Sequence, residues 1–184
     1  EGLEIFTNFE TKNKYQILSE SEKELYYAYE ESGFFTRWFL KQMRPLKVHV
    51  VDSKKEDCLV VEKGFAFFLP KFEVLRGDGS KIGEILTKFK LGGTHKEIYD
   101  KDSNLVLESV SKLMHPWTFR VFSPGSPQSE GHEAAIVYKK WSGGGKEIFT
   151  DTDNFVVDYK SLSEEYYREL VLGLAFAIDL TVFE

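Results

Sequence analysis

The chain has 184 residues, 42% of them hydrophobic and 29% charged, which suits a single domain, 1–184, with one sizeable core. Lys+Arg is 24 against Asp+Glu 30, a net charge of -6 with no long basic run, so strong general binding to nucleic acid is not encoded and any anionic partner needs a local basic patch. The single cysteine, Cys58, excludes an internal disulfide and a paired-cysteine zinc or redox site, fits a reducing compartment, and reads as a small apolar strand residue. The sequence starts at Glu1 without a methionine, so further chain is expected before it and no secretory leader.

In chain order, "LEIFTNF" (3–9), "KYQIL" (14–18), "ELYYAYE" (24–30), "LKVHVVD" (46–52), "CLVVEK" (58–63) and "KFEVLR" (71–76) alternate apolar with polar residues or are rich in β-branched and aromatic types. The pattern continues through "KIGEILTKF" (81–89), "HKEIYD" (95–100), "NLVLESV" (104–110), "WTFRVF" (117–122), "AAIVYKK" (134–140) and "NFVVDY" (154–159). Twelve strands are predicted. "GDGS" (77–80) and "KDSN" (101–104) supply Gly, Asp and Asn for the positive φ of tight hairpins, so the expectation is an antiparallel meander. "SPGSPQSEG" (123–131) reads as an exposed loop.

Two segments break the strand rhythm. In "SGFFTRWFLKQMR" (32–44), Phe34, Phe35, Trp38, Phe39 and Met43 fall on one side of a helical wheel and Arg37, Lys41 and Arg44 on the other, predicting an amphipathic turn or short helix. Near the C-terminus, Ser161 followed by Glu164 is a capping-box signature, predicting a helix from about Leu162 to Phe183. The apolar stretch from Leu170 to Phe183 spans only about 21 Å at ~1.5 Å per residue, against the ~30 Å of a bilayer core. It also carries Asp179, with Glu164, Glu165, Arg168 and Glu169 in the turns before it, so no transmembrane span is expected. Because Leu170 to Ile178 is apolar on every side, the helix is expected to be surrounded by protein. A β-rich chain can do that by closing its sheet into a barrel with the helix along the axis.

The stretches "LEIFTNFETKNKYQI", "YYAYEE", "RPLKVHVVD", "KKWSGGGKEIFTDTDNFVVDY" and "LGLAFAIDLTVFE" resemble the phospholipid scramblase family in order and spacing over nearly the whole chain. The resemblance implies a tubby C-terminal-like fold, mainly β, with a twelve-stranded antiparallel barrel enclosing a central hydrophobic C-terminal α-helix. It also implies a protein that binds phospholipid at the cytoplasmic face of a membrane, peripherally, and moves lipid between leaflets with calcium and without ATP. The alternative it leaves open is a non-transporting, lipid- or phosphoinositide-binding regulatory module of the membrane-tethered transcription-regulator type, with a protein or nucleic-acid partner. A shared fold does not choose between these.

Three sets of residues are candidates. Where the family's calcium segment lies, Asp151, Asp153, Asn154 and Asp158 offer hard oxygen ligands, but the sixth position of an EF-hand register is Val156 rather than Gly and the twelfth is Leu162 rather than an acid. An Asp- and Asn-rich turn leading into a strand is the other reading, and calcium, if bound, is expected to bind weakly. Family members carry acylated cysteine clusters where this chain has "GFFTRWFL" (33–40) and "GFAFFLPKF" (64–72). Phe34, Phe35, Arg37, Trp38 and Phe39, with Lys41, Arg44 and Lys71 nearby, suit interfacial insertion, rings at headgroup depth and cations near phosphates; alternatively the rings cover the barrel ends or pack in the core. Lys139, Lys140 and Lys146 around Trp141 could take a lipid headgroup or be solvated lysines at strand ends. His49, His95, His115 and His132 are scattered, and no motif of a hydrolase or a phosphate loop is present, so no enzyme is predicted.

Overall fold

The apolar–polar alternation becomes twelve strands: β1 (Glu4–Thr11), β2 (Lys14–Leu18), β3 (Glu24–Glu31), β4 (Leu46–Val51), β5 (Asp57–Lys63), β6 (Lys71–Arg76), β7 (Lys81–Lys90), β8 (Gly93–Asp100), β9 (Leu105–Lys112), β10 (Thr118–Phe122), β11 (Ala135–Lys140) and β12 (Asn154–Asp158). The computed structural model describes residues 4–11, 14–21, 23–31, 43–140 and 154–183, with only the backbone at 4–11, Lys140, Asn154 and Phe183. Each strand pairs antiparallel with its sequence neighbours, and β1 also pairs β12, with Glu4 opposite Asp158 and Asn8 opposite Asn154. The sheet therefore has no free edge and forms a closed barrel.

Side chains alternate across a strand, so one phase of each strand points inward. Val48 and Val50 on β4, Leu59 and Val61 on β5, Phe72 and Val74 on β6, Phe119 and Val121 on β10, and Phe155 and Val157 on β12 are buried in one cluster. Their partner is α1 (Glu165–Ile178), in which every residue from Leu170 to Ile178 is buried. The C-terminal apolar segment thus has the barrel wall as its surround. Among the described residues no helix is long and apolar enough to cross a membrane. Two glycines let helix and wall approach: a Cβ at Gly83 would lie 2.3 Å from the Tyr99 carbonyl oxygen and 2.7 Å from Leu170 Cδ2, and one at Gly173 2.8 Å from Val74 Cγ2.

The helix departs from expectation at both ends. It starts at Glu165, with Glu164 at the N-cap and no side-chain cap. The predicted Ser161 cap fails because the Ser161 N–H donates to the Ala134 carbonyl, which ties that residue to the preceding loop, while Arg168 Nε donates to the Leu162 carbonyl. At the other end the α-helix widens into a π-helical turn, Asp179–Phe183. There Asp179 is buried and accepts from the Tyr15 hydroxyl at 3.5 Å, and the Tyr15 ring stands edge-on to Phe176. In the β8–β9 hairpin the residue with positive φ is Ser103, not Asp102 or Asn104, because the Asp100 carboxylate holds the N–H groups of both.

Since neighbours are joined in sequence order, successive connections alternate between the barrel's two ends. The β5–β6, β7–β8 and β9–β10 connections lie at one end. The β2–β3, β4–β5, β6–β7, β8–β9 and β10–β11 connections and the link into α1 lie at the other. The helix enters at the second end, where Glu169 meets Arg76 at 3.1 Å, and finishes at the first, where Thr181 meets Lys96.

Candidate functional site

The two ends differ in chemistry. At the first, the β5–β6 connection exposes Phe65, Phe67, Phe68 and Leu69, with Phe68 92% exposed. Beside it stand Phe89 and Leu91 of the β7–β8 hairpin, then Leu113, Met114 and Trp117 of the β9–β10 connection, and Val182 of the π turn. Leu91 is 94% exposed and Met114 85%. Among the described residues these are all the large exposed hydrophobics except Tyr29, which stacks on His49 at 5.1 Å on the wall. The Leu113 N–H donates to the Gly92 carbonyl, tying the β9–β10 connection to the β7–β8 hairpin, the Thr87 N–H donates to the Pro70 carbonyl, tying the β5–β6 connection to β7, and the Ala66 N–H donates to the Met43 carbonyl. The β5–β6, β7–β8 and β9–β10 connections carry no acid, and Lys90 and Lys112 are exposed beside them. The opposite end carries Asp52, Glu56, Asp78, Asp102 and Glu164 in its connections.

Inside the rim the wall changes from apolar to cationic. Lys63 lies in phase with Leu59 and Val61, Lys96 with Ile98, and Lys139 with Ala135 and Val137, so all three are turned inward at this end. Lys139 is half-buried, with Nζ 5.9 Å from the centre of the Phe155 ring. Arg44 is buried with its guanidinium forked on the Glu30 carboxylate, one arm at 3.2 Å. Lys96, 1% exposed, donates to the Thr87 hydroxyl at 2.9 Å and to the Thr181 hydroxyl at 3.0 Å, and no carboxylate among the described residues pairs with it. Burial pushes its pKa down to about 7. Above Lys96 opens a cavity of about 250 Å³, bounded by Phe67, Phe68, Pro70, Thr94, Leu180 and Val182.

These positions correct two expectations. Arg44 is not a surface cation beside the aromatic loop, because its charge is spent on Glu30 inside the barrel. Lys139 is not a solvated strand end, because the phase of β11 points it inward. Lys71 remains on the wall, where it meets Glu84 at 2.8 Å. Phe34, Phe35, Arg37, Trp38, Phe39, Lys146, Asp151 and Asp153 lie outside the described residues. Lys140 and Asn154 pair across β11 and β12. Asp158 faces away from Phe155 and Val157, as the alternation predicts, and is held by Lys160. Lys63 and Lys96 were not singled out from sequence, because a lysine in a strand is ordinarily assigned to the wet face. The signal was the phase: in "HKEIYD" it is Lys96, not His95, that shares a face with the apolar Ile98.

Among the described residues only His95, Glu97 and Glu108 bring three ligand-type side chains together, with donor atoms within 4.8 Å of one another. Glu97 is already engaged by Lys88 at 3.1 Å and by the Tyr99 hydroxyl at 2.6 Å, and those bonds hold its carboxyl below the ordinary range against the opposing effect of burial. The group is best described as two carboxylates opposed across β8 and β9, with His95 Nε2 3.7 Å from each.

An antiparallel, mainly β barrel wrapped round one apolar helix is the class of fold defined here. A protein of Arabidopsis thaliana known from an X-ray structure shares it, with a TM-score of 0.56 at 13% identity over 96% of this chain and 91% of that one. Within that class the chain belongs to the scramblase family, whose model matches residues 1–184. It is 27% identical to phospholipid scramblase 1 of Mus musculus over 205 residues, covering 100% of this chain and 58% of the relative. It is 26% identical to phospholipid scramblase 2 of Bos taurus, covering 66% of that protein. The chain thus spans roughly three-fifths of the mouse relative's length.

Proposed function

We propose that this domain docks on a phospholipid bilayer by its apolar end and acts there as a phospholipid scramblase-like protein. The observation that carries the reading is that, among the described residues, every large exposed hydrophobic but Tyr29 lies at one end of the barrel, around a cationic mouth. Contiguous exposed apolar patches mark interaction surfaces, and aromatic rings flanked by lysines suit the bilayer interface. Family membership supports phospholipid as the substance handled. The closed ring around a helix supports placing the fold in the tubby C-terminal-like class. The one cysteine, free and half-buried, is compatible with the reducing cytoplasmic side.

Withdrawing a fully exposed Phe from water is worth about 1.5–3 kcal/mol, so several such side chains can hold the domain on a surface without a spanning helix. Liposome flotation tests this. The chain is expected to float with vesicles of phosphatidylcholine and phosphatidylserine, and Phe68→Ser to lower partitioning roughly tenfold or more. A wild-type chain that stays at the bottom of the gradient with and without calcium sinks the membrane reading. Transport is read separately, by a fluorescent-lipid assay in reconstituted vesicles. Calcium dependence remains part of the proposal through Asp151, Asp153 and Asn154; Asp158 would have to leave Lys160 to join them.

A further inference from the structure

The rim accounts for binding to a surface but not for the polar pit beneath it. A lysine ammonium has three protons to donate. On Lys96 two go to Thr87 and Thr181, and the third has no acceptor among the described residues. The hydroxyl of Thr181 spends its own proton on the Ala177 carbonyl at 2.5 Å, but Thr87, whose oxygen accepts from Lys96, keeps a proton to give. Thr94 adds a further hydroxyl on the cavity wall. Among the described residues the pit therefore presents a cation and hydroxyl donors with no anion to receive them. An unpaired ammonium withdrawn from water is expensive, and burial already weighs against its charged form. The turn that brings Thr181 to it is π-helical, a rare geometry found often at functional sites.

We propose that the Lys96 cavity binds the phosphate of a phospholipid headgroup, taken by the Lys96 ammonium with the Thr87 and Thr94 hydroxyls, while Phe67, Phe68, Leu180 and Val182 line the exit toward the acyl chains. The inference deepens the bilayer-docking reading and rests on it for the source of the ligand. Size agrees: about 250 Å³ is below the ~300–1,000 Å³ of sites that enclose whole small molecules, so the cavity admits a headgroup and leaves the chains outside. The phosphate is the part common to phospholipids, and it is the part this donor set recognises.

The test uses the 184-residue chain and amide NMR. One arm titrates dihexanoyl phosphatidylcholine below its micelle concentration, and the other titrates inorganic phosphate alone. The short-chain lipid is expected to shift the amides of Thr87, Thr94, Lys96 and Thr181 saturably, and inorganic phosphate to shift them only at concentrations at least tenfold higher. Lys96→Met, and independently the near-isosteric Thr87→Val should the first fold poorly, are expected to weaken the lipid at least tenfold. If phosphate shifts these amides as readily as the lipid does, or the lipid does not shift them, or both variants bind it as the wild type does, the headgroup site is wrong. Flotation run in parallel separates the two readings. A protein that floats but shows no shifts loses only the pocket, and one that shows the shifts but does not float loses only the docking surface.

Discussion

Lys96→Met should stabilise the protein, and by an amount that depends on pH. In the unfolded chain the lysine holds its proton up to about 10.5, while in the barrel it is lost near 7. Between those values the unfolded state binds more protons, so stability rises with pH across the window; the penalty is fully present below 7 and absent above 10.5. At about 1.4 kcal/mol per unit, the wild type should gain roughly 2–3 kcal/mol relative to Lys96→Met between pH 7 and pH 9. Methionine fills the same volume without charge, and the two hydroxyl bonds it forgoes are worth about 0.5–1.5 kcal/mol each, so at pH 6.5 the variant should be the more stable by about 2 kcal/mol or more. Among the described residues the other charged groups turned into this end are Lys63, Lys139, the Arg44–Glu30 pair and Asp179, and all remain in both proteins. Urea denaturation followed by tryptophan fluorescence at pH 6.5, 8 and 9 measures the difference. Parallel stability–pH curves for the two proteins would refute the assignment of Lys96 as a buried cation without a carboxylate partner.

Three further outcomes are expected. Gly83→Ala should cost about 1–3 kcal/mol in thermal or chemical denaturation, because the new methyl meets Leu170 Cδ2 and the Tyr99 carbonyl oxygen at once and the backbone ladder that holds that oxygen cannot yield cheaply. Arg44→Met should cost about 3–5 kcal/mol by removing the guanidinium forked on the buried Glu30 carboxylate, and Glu30→Leu added to it should recover much of the loss; equal stabilities of single and double variants would remove the ion pair from the account. Asp151→Ala with Asp153→Ala should abolish any calcium stimulation of flotation or lipid transport, and an unchanged response would remove calcium from these residues.

The strands are legible in the sequence because a wall with one wet and one dry face writes a two-residue period along most of its length, from Lys14–Leu18 to Asn154–Asp158. The helix is legible for the opposite reason: a segment dry on all sides, Leu170–Ile178, has no period. What the sequence leaves open is the sign of exposure in aromatic loops. "GFAFFLP" reads equally as a plug for the barrel or as a rim, since phenylalanines carry no mark of which solvent they face, and only the placement of Phe67 and Phe68 outside the barrel decides it. The helix start is misread because Ser161 and Glu164 have the spacing of a cap, while a tertiary bond from Ser161 to Ala134 outcompetes it. Lys63 and Lys96 are hidden by composition, since residue type argues outward where phase argues inward, and in this barrel phase wins.

The order of the chain has a consequence for how the molecule is made. The segment that fills the barrel lies C-terminal to all twelve strands, and the seam that closes the wall joins Glu4–Asn8 to Asn154–Asp158. During synthesis every strand emerges before there is anything for its inner face to pack against, and the closing contacts are among the most distant in the sequence. Such topologies fold slowly and leave apolar strands in water meanwhile. Premature release upstream of Glu165 would yield a hollow wall rather than a smaller domain, so nascent chains of this protein should depend on chaperones until the helix is complete.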